Sequence, residues 1–83
     1  MSAAVTLYGR PGCHLCDDAR EVLLRVRAEM GGRAFALREV DIERDDELFK
    51  RYLERIPVVC LNGEELFELE VDEAALRHRL SLS

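Results

Sequence analysis

Two cysteines, Cys13 and Cys16, lie three positions apart at the start of a helical pattern. Residues at this spacing share one helix face, which puts their Cα atoms about 5–6 Å apart, within disulfide range. A thiolate there is close to the unpaired N–H groups and the positive dipole end of the helix. Such surroundings lower the pKa of a cysteine and make it nucleophilic at neutral pH. The spacing therefore predicts a redox-active dithiol.

A zinc site and a merely structural thiol pair are the other interpretations of these cysteines. Structural zinc takes four ligands, commonly as two separated pairs. The further candidates in this chain are His14, Cys60 and the distant His78. If the segment is helical, His14 points away from at least one sulfur. We therefore expect no metal site, a buried structural role for Cys60 and a solvated His78.

Composition indicates one small domain over residues 1–83, with 48% hydrophobic residues. Seventeen acidic against 12 basic residues give a formal charge of −5, which argues against a nucleic-acid partner. No apolar run reaches the roughly 18 residues of a membrane span. The N-terminal residues lack the basic and apolar regions of a signal peptide, so we expect a cytoplasmic protein. In that compartment a C-x-x-C pair is more often catalytic or metal-binding than structural.

The elements that position the cysteines follow from the apolar pattern. Val5 to Tyr8 predicts a short strand, and Gly9 to Gly12 predicts a turn. Apolar residues then recur at helical spacing as far as Met30, where Gly31-Gly32 ends the helix.

The second half of the chain predicts two helices and three strands. In chain order they are a strand over Phe35–Leu37 and Val40–Ile42, a helix over Asp45–Arg55, a strand over Val58–Leu61, a strand over Glu65–Leu69 and a last helix capped by Asp72. Asn62-Gly63 is a strong hairpin signal between the last two strands. The order β-α-β-α-β-β-α predicts an α/β fold with a four-stranded mixed sheet, because a crossover helix joins parallel strands and a hairpin joins antiparallel ones.

Three segments together resemble the glutaredoxin branch of the thioredoxin fold, and the resemblance covers nearly the whole chain. They are Arg10-Pro11-Gly12-Cys13-His14-Leu15-Cys16, Val40-Asp41-Ile42 and Ile56-Pro57-Val58. More narrowly, the first segment followed by Asp17 is similar to compact bacterial glutaredoxin-like proteins. The resemblance implies a thioredoxin fold and thiol–disulfide exchange with protein or small disulfides and a thiol reductant. It implies a monomer without a tightly bound cofactor.

The same resemblance assigns roles to particular residues. Cys13 is expected to attack a disulfide and Cys16 to resolve the mixed disulfide. The bond between Ile56 and Pro57 is expected to be cis, which presents the Ile56 backbone to a substrate. Asp72 matches an acid of the family's substrate-binding region.

Arg10 and His14 are further candidates for substrate binding. Arg10 adds positive charge beside the dithiol and attracts an anionic thiol substrate, or it is a solvated turn residue. His14 stabilises the Cys13 thiolate, or it is a solvated loop residue. The residues alone leave both choices open.

Two departures from the family bear on glutathione and on the alternatives. The usual C-P-Y-C is C-H-L-C here, and Leu69-Glu70-Val71 stands where glutathione-binding members carry a Gly-Gly pair. Side chains at Glu70 and Val71 would crowd the tripeptide, so glutathione is expected to be at most a weak co-substrate. The alternative function is a non-catalytic thioredoxin-fold adaptor or an iron–sulfur cluster carrier, which would have to share thiolates between two chains.

Overall fold

The computed structural model describes residues 3–32 and 34–82. In chain order the elements are β1 (Ala3–Gly9), α1 (His14–Glu29), β2 (Phe35–Asp41), a 3₁₀ turn (Ile42–Arg44), α2 (Asp46–Tyr52), β3 (Val58–Leu61), β4 (Glu64–Glu68) and α3 (Glu73–Ser81). This is the predicted element order with one added 3₁₀ turn. None of the helices within these described ranges is long and apolar enough to cross a membrane.

The four strands form one mixed sheet in the order β2-β1-β3-β4. β1 pairs in parallel with β2, and β3 lies antiparallel to both β1 and β4. β1 is a central strand, so its C-terminal end, where the dithiol segment begins, is held by a neighbour on each side. The predicted four-stranded mixed sheet is confirmed.

Several element boundaries differ from those expected. β1 begins two residues earlier, at Ala3, and β2 runs unbroken to Asp41 because all seven of its residues pair with β1. Ile42 leaves the sheet and starts the 3₁₀ turn. α2 ends at Tyr52 rather than Arg55. β4 ends at Glu68, because Leu69 turns out of the strand with φ of 71°.

The hydrophobic core lies on both faces of the sheet. On one face α1 and α3 cover alternate residues of β1 and β3, forming the first core, whose buried members are Ala3, Val5, Leu7, Ala19, Leu23, Val26, Phe35, Val59, Leu61, Leu76 and Leu80. The second core, which includes residues of α2 and β3, consists of Cys16, Ile42, Tyr52, Ile56, Val58 and Cys60. All four residues of β3 are buried, as expected for a strand covered on both faces.

The hairpin between β3 and β4 has the turn that its sequence predicts. Asn62 and Gly63 both have positive φ, 51° and 86°, as a type I′ turn requires. Asn62 also donates its backbone N–H to the Ala4 carbonyl at 2.7 Å and accepts the Ala4 N–H on its side-chain oxygen at 2.9 Å. The turn residue thereby extends the contact between β1 and β3.

Candidate redox site

Cys13 and Cys16 are joined by a disulfide at the start of α1. Their Cα atoms are 5.2 Å apart, within the predicted range. Cys16 is 2% exposed, whereas Cys13 is partly exposed and packs against the second core. A disulfide in solution can therefore approach the Cys13 sulfur more readily than the Cys16 sulfur.

The Cys13 sulfur takes part in capping α1. Cys13 is the N-cap residue, and its Sγ accepts the backbone N–H of Cys16 at 3.1 Å. Asp17, in the first turn, donates its backbone N–H to the Cys13 carbonyl at 3.1 Å. A hydrogen bond from a backbone N–H stabilises a sulfur that carries negative charge, and the helix dipole acts in the same direction. The geometry thus favours the thiolate when the disulfide is reduced.

Gly9, at the end of β1, lies directly against Cys16. A Cβ atom built on Gly9 would be 3.0 Å from the Cys16 Sγ and 3.1 Å from its Cβ. Gly9 is the last residue of β1 rather than part of the predicted turn, and its lack of a side chain leaves space for the buried sulfur. Only the packing of β1 against α1 shows this, because a glycine after a strand is also typical of an ordinary turn.

Arg10 and His14, both predicted to contact substrate, lie beside the dithiol but have acidic neighbours. Arg10 is exposed, with its guanidinium 3.8 Å from the Glu43 carboxylate. The His14 imidazole is 88% exposed and lies 3.6 Å from the Asp18 carboxylate. The Glu43 carboxylate reduces the positive potential that the Arg10 guanidinium contributes at Cys13.

The Ile56-Pro57 peptide bond is cis, as the resemblance implied. Both residues are buried, and Ile56 belongs to the second core with Cys16. The Ile56 N–H donates to the Tyr52 carbonyl at 3.0 Å, and the Pro57 carbonyl accepts the Leu69 N–H at 2.9 Å. The Ile56 N–H is thus already hydrogen-bonded at the end of α2, and the contact expected between the Ile56 backbone and a substrate stays a prediction.

Arg55 ties the segment before Pro57 to β4. Its guanidinium donates to Glu68 at 2.8 Å and also to Glu65, and it lies over the Tyr52 ring. Tyr52 in turn stacks on Tyr8 with ring centroids 4.7 Å apart. These contacts join α2, β1 and β4 around the second core, on which Cys13 rests.

Acid should weaken the contact between Arg55 and Glu65. The hydrogen bond from Arg55 holds the pKa of the Glu65 carboxyl below its ordinary value of 4.5. A carboxyl with a lowered folded-state pKa stabilises the fold above its unfolded-state pKa, and that stabilisation is lost as pH falls through the folded-state pKa. We expect the melting temperature of the parent protein to fall more steeply below about pH 4.5 than that of Glu65→Gln.

Thermal melts between pH 6 and pH 3 test this prediction. Glu54→Gln is the matched control, since Glu54 is exposed and makes no ion pair within residues 3–32 and 34–82. The difference between parent and Glu65→Gln should shrink in 1 M salt, because the pair is partly exposed and screened. Identical pH profiles for the parent and Glu65→Gln would show that this pair does not contribute.

Three other residues singled out in the sequence are located by the structure. Cys60 is buried in β3, and burial raises the pKa of its thiol, which disfavours the reactive thiolate. Asp72 is the N-cap of α3 and accepts the Ala75 N–H at 3.1 Å. Val71 packs against the first core, so it is less available to crowd a ligand than the exposed Leu69 and Glu70.

Among the described residues, no group of three or more His, Cys, Asp or Glu side chains is placed to hold a metal ion.

Residues 4–81 match the family described as Glutaredoxin-like domain (DUF836). A curated relative, "Glutaredoxin-like protein YDR286C homolog" of Dictyostelium discoideum, is 27% identical over 82 residues, covering 95% of this chain and 76% of its own. The X-ray structure of protein XcR50 from X. campestris is 38% identical, with a TM-score of 0.74, and the match covers 95% of this chain and 97% of that chain.

The same architecture occurs in a more distant protein. Thioredoxin-2 of the malaria parasite is 16% identical and has a TM-score of 0.72, with 99% of this chain and 84% of that chain covered. At this identity the likeness concerns the fold alone. Together with the sheet order and the position of the disulfide, it establishes a thioredoxin fold.

Proposed function

The chain belongs to the family of glutaredoxin-like domains, and we propose that it is a thiol–disulfide oxidoreductase in which Cys13 attacks and Cys16 resolves. The observation that carries the proposal is the asymmetry of the dithiol. The Cys13 sulfur is the more accessible one and accepts a backbone N–H at the start of α1, while Cys16 is buried beneath it. A merely structural disulfide needs neither an accessible sulfur nor a helix terminus that stabilises its thiolate.

The reaction begins with the reduced dithiol. The Cys13 thiolate attacks one sulfur of a substrate disulfide, forms a mixed disulfide and releases the other substrate sulfur as a thiolate, which takes up a proton. Cys16, after losing its proton, then attacks the Cys13 sulfur. The Cys13–Cys16 disulfide forms and the second substrate thiol is released. The substrate gains two electrons, the protein loses two, and an external thiol reductant restores the dithiol.

The hydrogen bond at Cys13 assists more than one of these steps. It stabilises the Cys13 thiolate before attack. It does so again at the end of reduction, when a second thiol group attacks the reductant sulfur of the mixed disulfide and Cys13 is the leaving group. Cys16 does not have to be accessible to a substrate in solution, because the atom that it attacks is the adjacent Cys13 sulfur. Its burial is therefore compatible with the resolving role.

We expect glutathione to be a poor partner for this site. The Ile56 N–H is hydrogen-bonded to Tyr52, Arg10 lies beside Glu43, and the exposed Glu70 adds negative charge near an anionic tripeptide. Turnover of a peptide disulfide should be about tenfold faster with dithiothreitol than with glutathione at equal thiol concentration. This factor corresponds to about 1.4 kcal/mol, a plausible sum of one lost hydrogen bond and one like charge.

Steady-state turnover with each reductant, monitored by release of a chromogenic thiol, tests the preference. Glu70→Gly should raise the rate with glutathione and leave the rate with dithiothreitol unchanged, because only the tripeptide carries carboxylates. Equal turnover with both reductants in the parent protein would contradict the prediction.

The oxidoreductase and the adaptor make opposite predictions in the same assay. An oxidoreductase that has been reduced beforehand accelerates the release of thiol from a peptide disulfide. Without further reductant, each Cys13–Cys16 dithiol reduces one peptide disulfide. A non-catalytic adaptor leaves the rate at the uncatalysed level. Absence of acceleration with every peptide disulfide would overturn the proposed function.

A further inference from the structure

Leu69 has a backbone conformation that is unusual for its side chain. Its φ is 71°, in the left-handed region that a bulky residue adopts only when its surroundings require it. Such conformations are energetically costly and are concentrated at functional sites. The cost is only partly offset by burial, because Leu69 is 49% exposed. The fold thus holds a large apolar side chain at the surface in a strained conformation.

Two hydrogen bonds hold Leu69 in place. Its N–H lies 2.9 Å from the Pro57 carbonyl and 3.1 Å from the Arg55 carbonyl. The preceding residue, Glu68, is bound by the Arg55 guanidinium. The backbone of Leu69 is therefore fixed to the Ile56-Pro57 segment, and Ile56 belongs to the second core on which Cys13 packs.

Leu15 is a second exposed apolar residue at the dithiol. It stands between the two cysteines, in the first turn of α1, and is 50% exposed. Leu15 thus lies between the two cysteines, and Leu69 is hydrogen-bonded to the segment that contributes Ile56 to the second core. We call this pair the apolar rim.

The charges around the dithiol do not favour an anionic ligand. Basic side chains on the neighbouring segments include Arg10, His14, Arg20 and Arg55, and each of these lies within 4 Å of a carboxylate. The exposed Glu70 directly follows Leu69. Apolar contact is therefore the interaction that this surface offers without an opposing charge.

We propose that the apolar rim, Leu15 and Leu69, selects polypeptide disulfides in which apolar side chains flank the reacting cysteine. The inference rests on the proposed function and names its substrate class. The flanking side chains of the substrate cover the exposed parts of both leucines while its disulfide lies at the Cys13 sulfur. The exposed parts of the two leucines amount to about one leucine side chain, and covering about half of that area favours such a substrate by about fivefold to tenfold over a polar one.

Two peptides with the same length and charge test the proposal. Each carries one cysteine in disulfide linkage to a chromogenic thiol, flanked by leucine in one peptide and by asparagine in the other. Reduced parent protein should release the chromogenic thiol from the leucine peptide with a kcat/KM about fivefold to tenfold higher, and the difference should lie in KM.

Leu69→Asn and Leu15→Gln remove the apolar rim one side at a time. Asparagine is nearly the size of leucine and tolerates positive φ, so Leu69→Asn should fold at least as stably as the parent. Each variant should reduce the preference for the leucine peptide to about twofold to threefold, because one of two similar contacts remains. Leu24→Gln is the matched control, since Leu24 is 47% exposed on α1 and should retain the full preference.

These outcomes distinguish the proposed role of the apolar rim from the proposed oxidoreductase function on which it rests. Equal rates for the two peptides in the parent, or an unchanged preference in both rim variants, would overturn the role of the apolar rim and leave the oxidoreductase intact. Failure of the parent to accelerate release from either peptide would overturn both.

Discussion

Cys13→Ser is expected to abolish thiol–disulfide exchange, lowering the rate by at least about a thousandfold, because it removes the attacking sulfur. Cys16→Ser should keep the first step and lose the second. With a peptide disulfide it should therefore accumulate a mixed disulfide at Cys13, visible by mass as one covalently attached peptide. The physical reason is the accessibility of Cys13 together with the burial of Cys16.

Cys60→Ala is the control for the assignment of roles. Cys60 is buried, and its raised thiol pKa disfavours the thiolate, so this variant should retain exchange within about twofold of the parent. Alkylation of the reduced parent should modify Cys13 first. A peptide trapped at Cys16 in Cys13→Ser, or faster alkylation of Cys16, would reverse the assignment.

Gly9→Ala is expected to destabilise the protein by about 1–3 kcal/mol, the usual cost of overpacking a filled site. The added methyl would lie 3.0 Å from the Cys16 Sγ, which must then move away. An alanine also restricts the unfolded chain and thereby stabilises a protein by about 0.4–1 kcal/mol, so the steric cost has to exceed this gain. Displacement of Cys16 should also slow the resolving step, by about tenfold, because attack requires alignment of the two sulfurs.

Gly63→Ala is the control that distinguishes the steric effect at Cys16 from the general effect of replacing a glycine with alanine. Gly63 has φ of 86° and open space around its Cα, so alanine there is strained by the backbone alone and far from the dithiol. It should lose stability without slowing the resolving step. Denaturant unfolding of the oxidised and reduced forms, with the decay rate of the mixed disulfide, measures both effects. Parent-like stability and parent-like decay in Gly9→Ala would contradict the assigned role of Gly9.

The Arg55 contacts join segments around the second core, against which Cys13 packs. Cys13 begins α1, whereas Ile56 and Leu69 lie on loops that flank β3 and β4. Arg55 and the Leu69 N–H connect these two loops, and Ile56 connects them to the second core below the dithiol. The two proposals therefore place reactivity and substrate choice on separate contacts, which is why Cys13 and Leu69 variants should affect different measurements.

Features governed by local physical chemistry were determined by the sequence itself. The spacing of Cys13 and Cys16 places both sulfurs on one helix face, whatever packs around them. Asn62-Gly63 specifies a hairpin because both residues tolerate positive φ, and Asp72 caps a helix through its own side chain. The element order and the mixed sheet follow from these signals and from the apolar periodicity.

Other features were decided only by the tertiary structure, because they depend on residues distant in the chain. Helical periodicity could not show that α2 ends at Tyr52, since Leu53 remains in contact with the second core after the helix has ended. Nothing next to Gly9 in sequence shows that Cys16 fills the space above it, and the Ile56 N–H is occupied because the chain turns back on the end of α2. Leu69 is held at positive φ by carbonyl groups of the loop before β3, a contact that no local propensity for leucine would predict.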